Sequence, residues 1–130
     1  MKNANKKLIY DVDANGQLNA LEDGMLVLRY LAGLNQGSSF IGNYNGKPVI
    51  GEEAARTSEE ELAAYIETLK SNNLLEIDGN NKTDALTDGI LLLRYMQGIT
   101  GIELIKDALA SDASRKTAEE IIEFIENASL

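Results

Sequence analysis

The chain contains no cysteine and no histidine. The first absence excludes disulfides and thiolate metal sites and leaves the redox compartment unread. The second removes the commonest zinc ligand and the usual general base near neutral pH. Basic residues are scarce too: 12 Lys and Arg face 21 Asp and Glu, and the net charge of −9 has the wrong sign for tracking phosphate backbones or anionic lipid. Nucleic acid and membrane surfaces are therefore not expected as partners. No apolar run reaches the length that spans a bilayer, and Met1 to Lys7 lacks the apolar stretch of a secretion signal. Such a start fits a segment of something longer. A hydrophobic content of 44% over 130 residues is enough for a packed core.

What is present is a segment that occurs twice, DVDANGQLNALEDGMLVLRYLAGL from Asp11 to Leu34 and EIDGNNKTDALTDGILLLRYMQGI from Glu76 to Ile99. The copies stand 65 residues apart and agree at 11 of 24 positions. A second pair, ARTSEEELAAYIETLK from Ala55 and SRKTAEEIIEFIEN from Ser114, aligns at an offset of 59, matching Arg56 with Arg115, Leu62 with Ile121, Tyr65 with Phe124 and Ile66 with Ile125. The first connector is thus six residues longer. We expect one domain over residues 1–130, built from two repeats at 8–72 and 73–130.

The second stretch of each repeat reads as a helix. Ser58 with Glu61, and Thr117 with Glu120, have capping-box spacing. Leu62, Tyr65, Ile66 and Leu69 recur at helical spacing, as do Ile121, Phe124, Ile125 and Ala128. The acidic runs at Glu59 to Glu61 and Glu119 to Glu120 suit helix N-termini. The first stretch is expected to be helical from Asp23 to Ala32 and from Asp88 to Gln97, apolar on nearly every side and therefore central to the core. Gly33 and Gly98 follow as C-cap glycines. In the first connector, Phe40 to Ile50 holds Asn45-Gly46 and the only proline, Pro48, which predicts a hairpin or tight turn. Its counterpart, Ile102 to Leu109, reads instead as a short helix with Ile102, Ile105 and Leu109 on one side. Leu8 to Val12 and Leu74 to Ile77 are too short for helices and are expected to pair as small strands. The fold class is mostly α.

The chemistry lies in the loops. Counting from Asp11, oxygen side chains fall at positions 1 (Asp11), 3 (Asp13), 5 (Asn15) and 9 (Asn19), with Gly16 at position 6. The second copy gives Glu76, Asp78, Asn80 and Asp84, with Asn81 at position 6. Ca²⁺ takes about six to eight oxygens, which alternate residues of a tightly turning loop supply, one backbone carbonyl included. Gln17 and Lys82 stand where that carbonyl would come from. Position 6 needs a residue tolerant of positive φ, for which Gly is best and Asn the usual substitute. Asp23 and Asp88 close the loops at position 13. Turn sequences and helix N-caps use the same residue types without an ion, but agreement of two copies at positions 3, 5, 9 and 13 favours metal binding.

The pattern D-x-D-x-N-G-x-x-N…D before LVLRYLAG, and D-x-N-N-x-x-D…D before LLLRYMQG, resembles the EF-hand loop and, more closely, the dockerin-type variant, a calcium loop followed by an exit helix. The resemblance covers about a third of the chain. Two departures stand out. The closing acid of those families falls at position 12, where this chain has Glu22 and Thr87; the duplicated aspartates at 13 imply a loop enlarged by one residue. A register starting at Asp13 and Asp78, leaving Asp11 and Glu76 outside, stays open. Dockerins also hold their two calcium segments close together, whereas a further capped helix completes each unit here. By analogy, residues before the closing acid and basic residues on the exit helix, Ala20, Leu21 and Arg29, then Ala85, Leu86 and Arg94, would contact a cohesin-type partner. The expected function is a noncatalytic module binding two Ca²⁺, an accessory or structural domain of a larger extracellular or cell-surface protein. The alternative is dockerin-type recognition of a cohesin-like protein. With no His, Cys or nucleophile motif, an enzyme is not expected.

Overall fold

The computed structural model describes residues 8–42 and 49–130. Six α-helices are found among them: α1 (Met25–Leu31), α2 (Ser38–Ile41), α3 (Glu59–Ser71), α4 (Ile90–Met96), α5 (Ile102–Ile105) and α6 (Ala118–Asn127). The described residues hold no strand, so the fold is mostly α, and α4–α6 repeat the order of α1–α3.

α1 and α4 are entered earlier than their sequences suggest. The backbone turns helical at Ala20 and Ala85, three residues before the expected start, in π-turns Ala20–Gly24 and Ala85–Gly89 that run directly into the helices. The Asn19 carbonyl accepts N–H groups from Glu22, Asp23 and Gly24 at 3.3, 2.8 and 3.3 Å, and the Asp84 carbonyl accepts Gly89 N–H at 3.1 Å. A π-turn carries one residue more than an α-turn. From these turns Asp23 and Asp88 face back into their loops and accept loop N–H groups.

Leu26, Val27, Leu91 and Leu92 are buried, as expected of central helices, but Leu28 and Leu93 are only half-buried, so the helices are not covered all round. α1 and α4 cross at the glycines that follow the closing aspartates. A Cβ at Gly24 would lie 2.7 Å from Leu93 Cδ1, and one at Gly89 would lie 2.9 Å from the equivalent Leu28 Cδ1. Only glycine permits this approach without displacing a neighbour. Beyond the helices, Gly33 and Gly98 take φ of +92° and +82°, as C-cap glycines should.

Both capping boxes form, Ser58 with Glu61 and Thr117 with Glu120, each side chain satisfying the other residue's backbone N–H. α3 buries Leu62, Ile66 and Leu69; α6 buries Ala118, Ile121 and Ile125. Together with Leu26, Leu91 and Leu92 these join one continuous core drawn from both repeats.

The pairing of Leu8 to Val12 with Leu74 to Ile77 as strands is not what the structure shows. Leu8–Tyr10 is a 3₁₀ turn, and the two segments meet through the Tyr10 hydroxyl, which donates to the Leu74 carbonyl at 2.6 Å. The connectors are also more alike than expected, since both contain a short helix, α2 and α5, with Phe40 and Leu104 buried at matching places. Ile102 does not join an apolar side in α5: it is 69% exposed, and Leu104 takes the inward position. The turn expected at Asn45-Gly46-Pro48 lies outside the described residues; at its base Val49 N–H donates to the Ile41 carbonyl at 2.8 Å. Among the described residues no helix is long and apolar enough to cross a membrane.

Candidate metal centre

In the first loop, Asp11, Asp13 and Asp23 are buried and each turns a carboxylate oxygen to within 4.8 Å of the others. Most of their oxygens are held by loop amides. Asp11 Oδ1 and Oδ2 accept Asn15 N–H at 3.2 Å and Gly16 N–H at 2.8 Å. Asp23 Oδ1 and Oδ2 accept Asp13 N–H at 3.3 Å and Asn19 N–H at 2.9 Å. Gly16 needs a φ of +88° to present that N–H, and its counterpart Asn81 adopts +66°, as position 6 requires. Asp13 Oδ2 accepts Gly51 N–H at 2.5 Å, whereas Asp13 Oδ1 is buried and accepts no hydrogen bond.

The second loop repeats the frame with a different first residue. Asp88 Oδ1 accepts Ile77 N–H at 2.7 Å and Asp78 N–H at 3.1 Å, and its Oδ2 accepts Asp84 N–H at 2.8 Å. Asp78 Oδ2 accepts Ala110 N–H at 2.9 Å, and Asp78 Oδ1 is again buried and unbonded. Glu76, however, splits its carboxylate between Asn81 N–H at 2.6 Å and the Arg115 guanidinium at 3.3 Å. Among the described residues only the first loop gathers three acids.

The electrostatics follow from burial. Desolvation, reinforced by the charges of Asp13 and Asp11, pushes Asp23 up to about 8 against the opposing amides of Asn19 and Asp13. Burial and Asp78 push Asp88 only to about 6, because three amides stabilise its charge. Asp11 is raised by burial and by Asp13, and Glu22 is raised by burial and by the charges of Asp13 and Asp11, so Glu22 faces the same cluster. Three buried carboxylates need either protons or a cation; oxygen-only donors suit a hard one.

Other expected ligands are placed differently. Asn15 Oδ1 accepts Gln17 N–H and Asn80 Oδ1 accepts Lys82 N–H, both at 3.1 Å. Asn19 is the N-cap of the π-turn, its Oδ1 accepting Leu21 N–H at 2.8 Å and Glu22 N–H at 3.1 Å, whereas Asp84 makes no such side-chain bond. Gln17, Lys82 and Asp84 are exposed.

Two residues central to the site had no role assigned from sequence. Arg56 donates Nε–H to the Val12 carbonyl at 2.7 Å and Nη2–H to the Asp11 carbonyl at 3.0 Å, while its guanidinium stacks on Tyr65, 3.6 Å from the ring centre. Arg115 does the same with Ile77 at 2.6 Å, Glu76 at 2.7 Å and Phe124 at 3.9 Å. Each loop is clamped by the segment that leads into its capped helix. The Asp13 and Asp78 carbonyls complete the clamp by accepting the N–H groups of Arg56 and Arg115, both at 3.0 Å. The match of Arg56 with Arg115 in the repeat alignment was the available signal.

The residues aligned with dockerin contact positions divide. Leu21 and Leu86 are 70% and 76% exposed, and Ala20 and Ala85 are half-buried beside them. Arg29 and Arg94 point inward instead: Arg29 donates to the Phe40 carbonyl at 2.9 Å, and Arg94 to the Leu104 and Lys106 carbonyls at 3.1 and 2.7 Å. They satisfy free carbonyls at the ends of α2 and α5. No family model, curated protein or solved structure matches the chain.

Proposed function

We propose that this protein is a noncatalytic calcium-binding module, one Ca²⁺ per loop, serving as a structural or accessory domain of a larger extracellular protein. The observation that carries the reading is the pair of buried, unbonded oxygens Asp13 Oδ1 and Asp78 Oδ1, at equivalent places in the two loops. A buried carboxylate oxygen without a partner costs about 1–3 kcal/mol or more. A cation at each loop supplies the missing partner. Asp11, Asp13 and Asp23 are the core donors in the first loop, with Asn15, Asn19 and the Gln17 carbonyl completing an oxygen shell. Glu76, Asp78, Asp84 and Asp88, with Asn80 and the Lys82 carbonyl, are their counterparts. Loops of irregular geometry with only oxygen donors favour Ca²⁺ over Mg²⁺, which demands a near-ideal octahedron. In this reading the ions serve folding, tying each loop to the helix that follows it.

Calorimetric titration of the chelator-treated protein with CaCl₂ tests this. Two ions per chain are expected, and at 100 times Kd each should add about 2.7 kcal/mol to the folded state. Asp23→Ala and Asp88→Ala should each delete one ion. No binding heat together with an unchanged melting temperature after chelation would sink the reading.

A second reading, dockerin-type recognition of a cohesin-like protein, is favoured by Leu21 and Leu86, large aliphatic side chains exposed at matching places on the two π-turns. It predicts calcium-dependent capture of a cohesin-type domain. Leu21→Asp with Leu86→Asp should abolish that capture while leaving calcium binding intact.

A further inference from the structure

The two loops share a backbone frame but differ in what holds their first acid. In loop 1 the short Asp11 side chain accepts the loop amides of Asn15 and Gly16, its carboxylate converges with Asp13 and Asp23, and among the described residues it forms no ion pair. Arg56, the clamp of that loop, reaches past it to the main-chain carbonyls of Asp11 and Val12. In loop 2 the side chain is one methylene longer. Glu76 keeps the amide contact, to Asn81 at 2.6 Å, but its other oxygen meets the Arg115 guanidinium at 3.3 Å. That guanidinium is already fixed by Ile77 O and Glu76 O and by the Phe124 ring, so it cannot follow the carboxylate elsewhere without loosening the clamp.

We propose that Arg115 is a built-in competitor for the second ion: by pairing with Glu76 it makes loop 2 the weaker calcium site, and Glu76 is the residue that sets the difference between the loops. The proposal rests on the calcium reading and assigns its regulation. A cation entering loop 2 has to take Glu76 Oε1 from a positively charged, partly buried partner. A cation entering loop 1 meets no guanidinium on Asp11, since Arg56 is bonded to the main-chain carbonyls of Asp11 and Val12. An ion-paired hydrogen bond of this kind is about a tenfold effect on affinity.

The test is calcium titration of the full chain by calorimetry at about pH 9, above the values of Asp23 and Asp88. Two steps separated by about tenfold are expected. Asp78→Asn, which removes the unbonded oxygen of loop 2, should delete the weaker step and keep the stronger. Glu76→Asp shortens the side chain to that of loop 1, beyond the reach of Arg115, and should bring the weaker step up to the stronger. Steps of equal affinity in the wild type, loss of the stronger step in Asp78→Asn, or no gain in Glu76→Asp each overturn the proposal while leaving calcium binding itself intact. Absence of any binding heat instead removes the reading beneath it.

Discussion

If each loop takes a Ca²⁺ as proposed, shifting the pH should reorder the two sites. Asp23 is pushed up to about 8 and Asp88 to about 6, from an ordinary value of 3.8, so the first loop holds a proton where the second is ionised. A cation binds the carboxylate and must displace that proton. For one group the affinity falls by a factor of one plus ten to the power of pKa minus pH. At pH 7 this is about tenfold for loop 1 and nearly nothing for loop 2. At pH 6 it becomes about 100-fold for loop 1 and about twofold for loop 2. If Arg115 gives loop 1 an intrinsic lead of about tenfold, the sites draw level near pH 7 and exchange order by pH 6.

Calorimetry in two buffers of different ionisation enthalpy measures the displaced protons directly. About 0.9 proton should be released per ion at loop 1 at pH 7 and about 0.1 at loop 2. Asp88→Ala and Asp23→Ala isolate the two sites for assignment. Without calcium the sign for stability is the opposite. The folded chain binds the extra proton at Asp23 between the ordinary carboxylate range and about pH 8. Stability from that group is therefore complete below the ordinary range and is lost, at about 1.4 kcal/mol per pH unit, as pH rises through the folded value. Saturating calcium removes the trend, because Asp23 is then ionised in both the ion-bound and the unfolded chain above the ordinary carboxylate range. Proton release near zero at both sites, or calcium-free stability that rises from pH 5 to 8, would refute the placement of Asp23 in a buried acid cluster.

Three further outcomes follow from contacts outside the acid cluster. Arg115→Ala removes two charge-assisted bonds to loop carbonyls and the stack on Phe124, and should cost about 3 kcal/mol in urea unfolding; Arg115→Lys should recover little, since an ammonium cannot form the fork. Tyr10→Phe deletes the bond to the Leu74 carbonyl between the repeats and should cost about 1–2 kcal/mol, read as a drop in melting temperature; an unchanged melt would contradict the burial of that carbonyl. Gly79→Ala places a Cβ 2.1 Å from Ser114 Oγ at a φ of +76° and should cost about 2 kcal/mol. Adding Ser114→Ala should restore much of it, because repeat 1 already holds Ala14 at a φ of +56° with Ala55 in the matching place.

The capped helices α3 and α6 were legible because their signals are local: a hydroxyl, a glutamate three residues on, and an apolar period of 3.6. The supposed strands misled for a physical reason. Their apolar residues are indeed core, since Tyr10, Val12, Leu75 and Ile77 are all buried, but burial does not name the backbone's partner. Here the Val12 and Ile77 carbonyls go to arginine side chains, and Ile77 N–H goes to Asp88. These partners lie 11 to 44 residues away and belong to no periodic pattern. The acids of the loops were visible in their spacing. What spacing could not reveal was that Glu76 would find a counter-charge and Asp11 would not, because that depends on side-chain length measured against an arginine fixed from elsewhere.

The closing aspartate at position 13 is the feature in which local chemistry and tertiary packing meet. Because the π-turn carries one additional residue, Asp23 can reach back to Asp13 N–H and Asn19 N–H while the next residue, Gly24, faces the opposite repeat at Leu93. Asp88 and Gly89 do the same toward Leu28. An ion that draws Asp23 toward Asp13 therefore pulls on a residue bonded to the one that sets the distance between α1 and α4. Two adjacent residues, one tied to the loop and one to the helix crossing, leave little slack between them. Occupancy of either loop should thus be felt in the packing of both repeats, and the stabilisation from calcium should appear as a single cooperative melting transition of the chain.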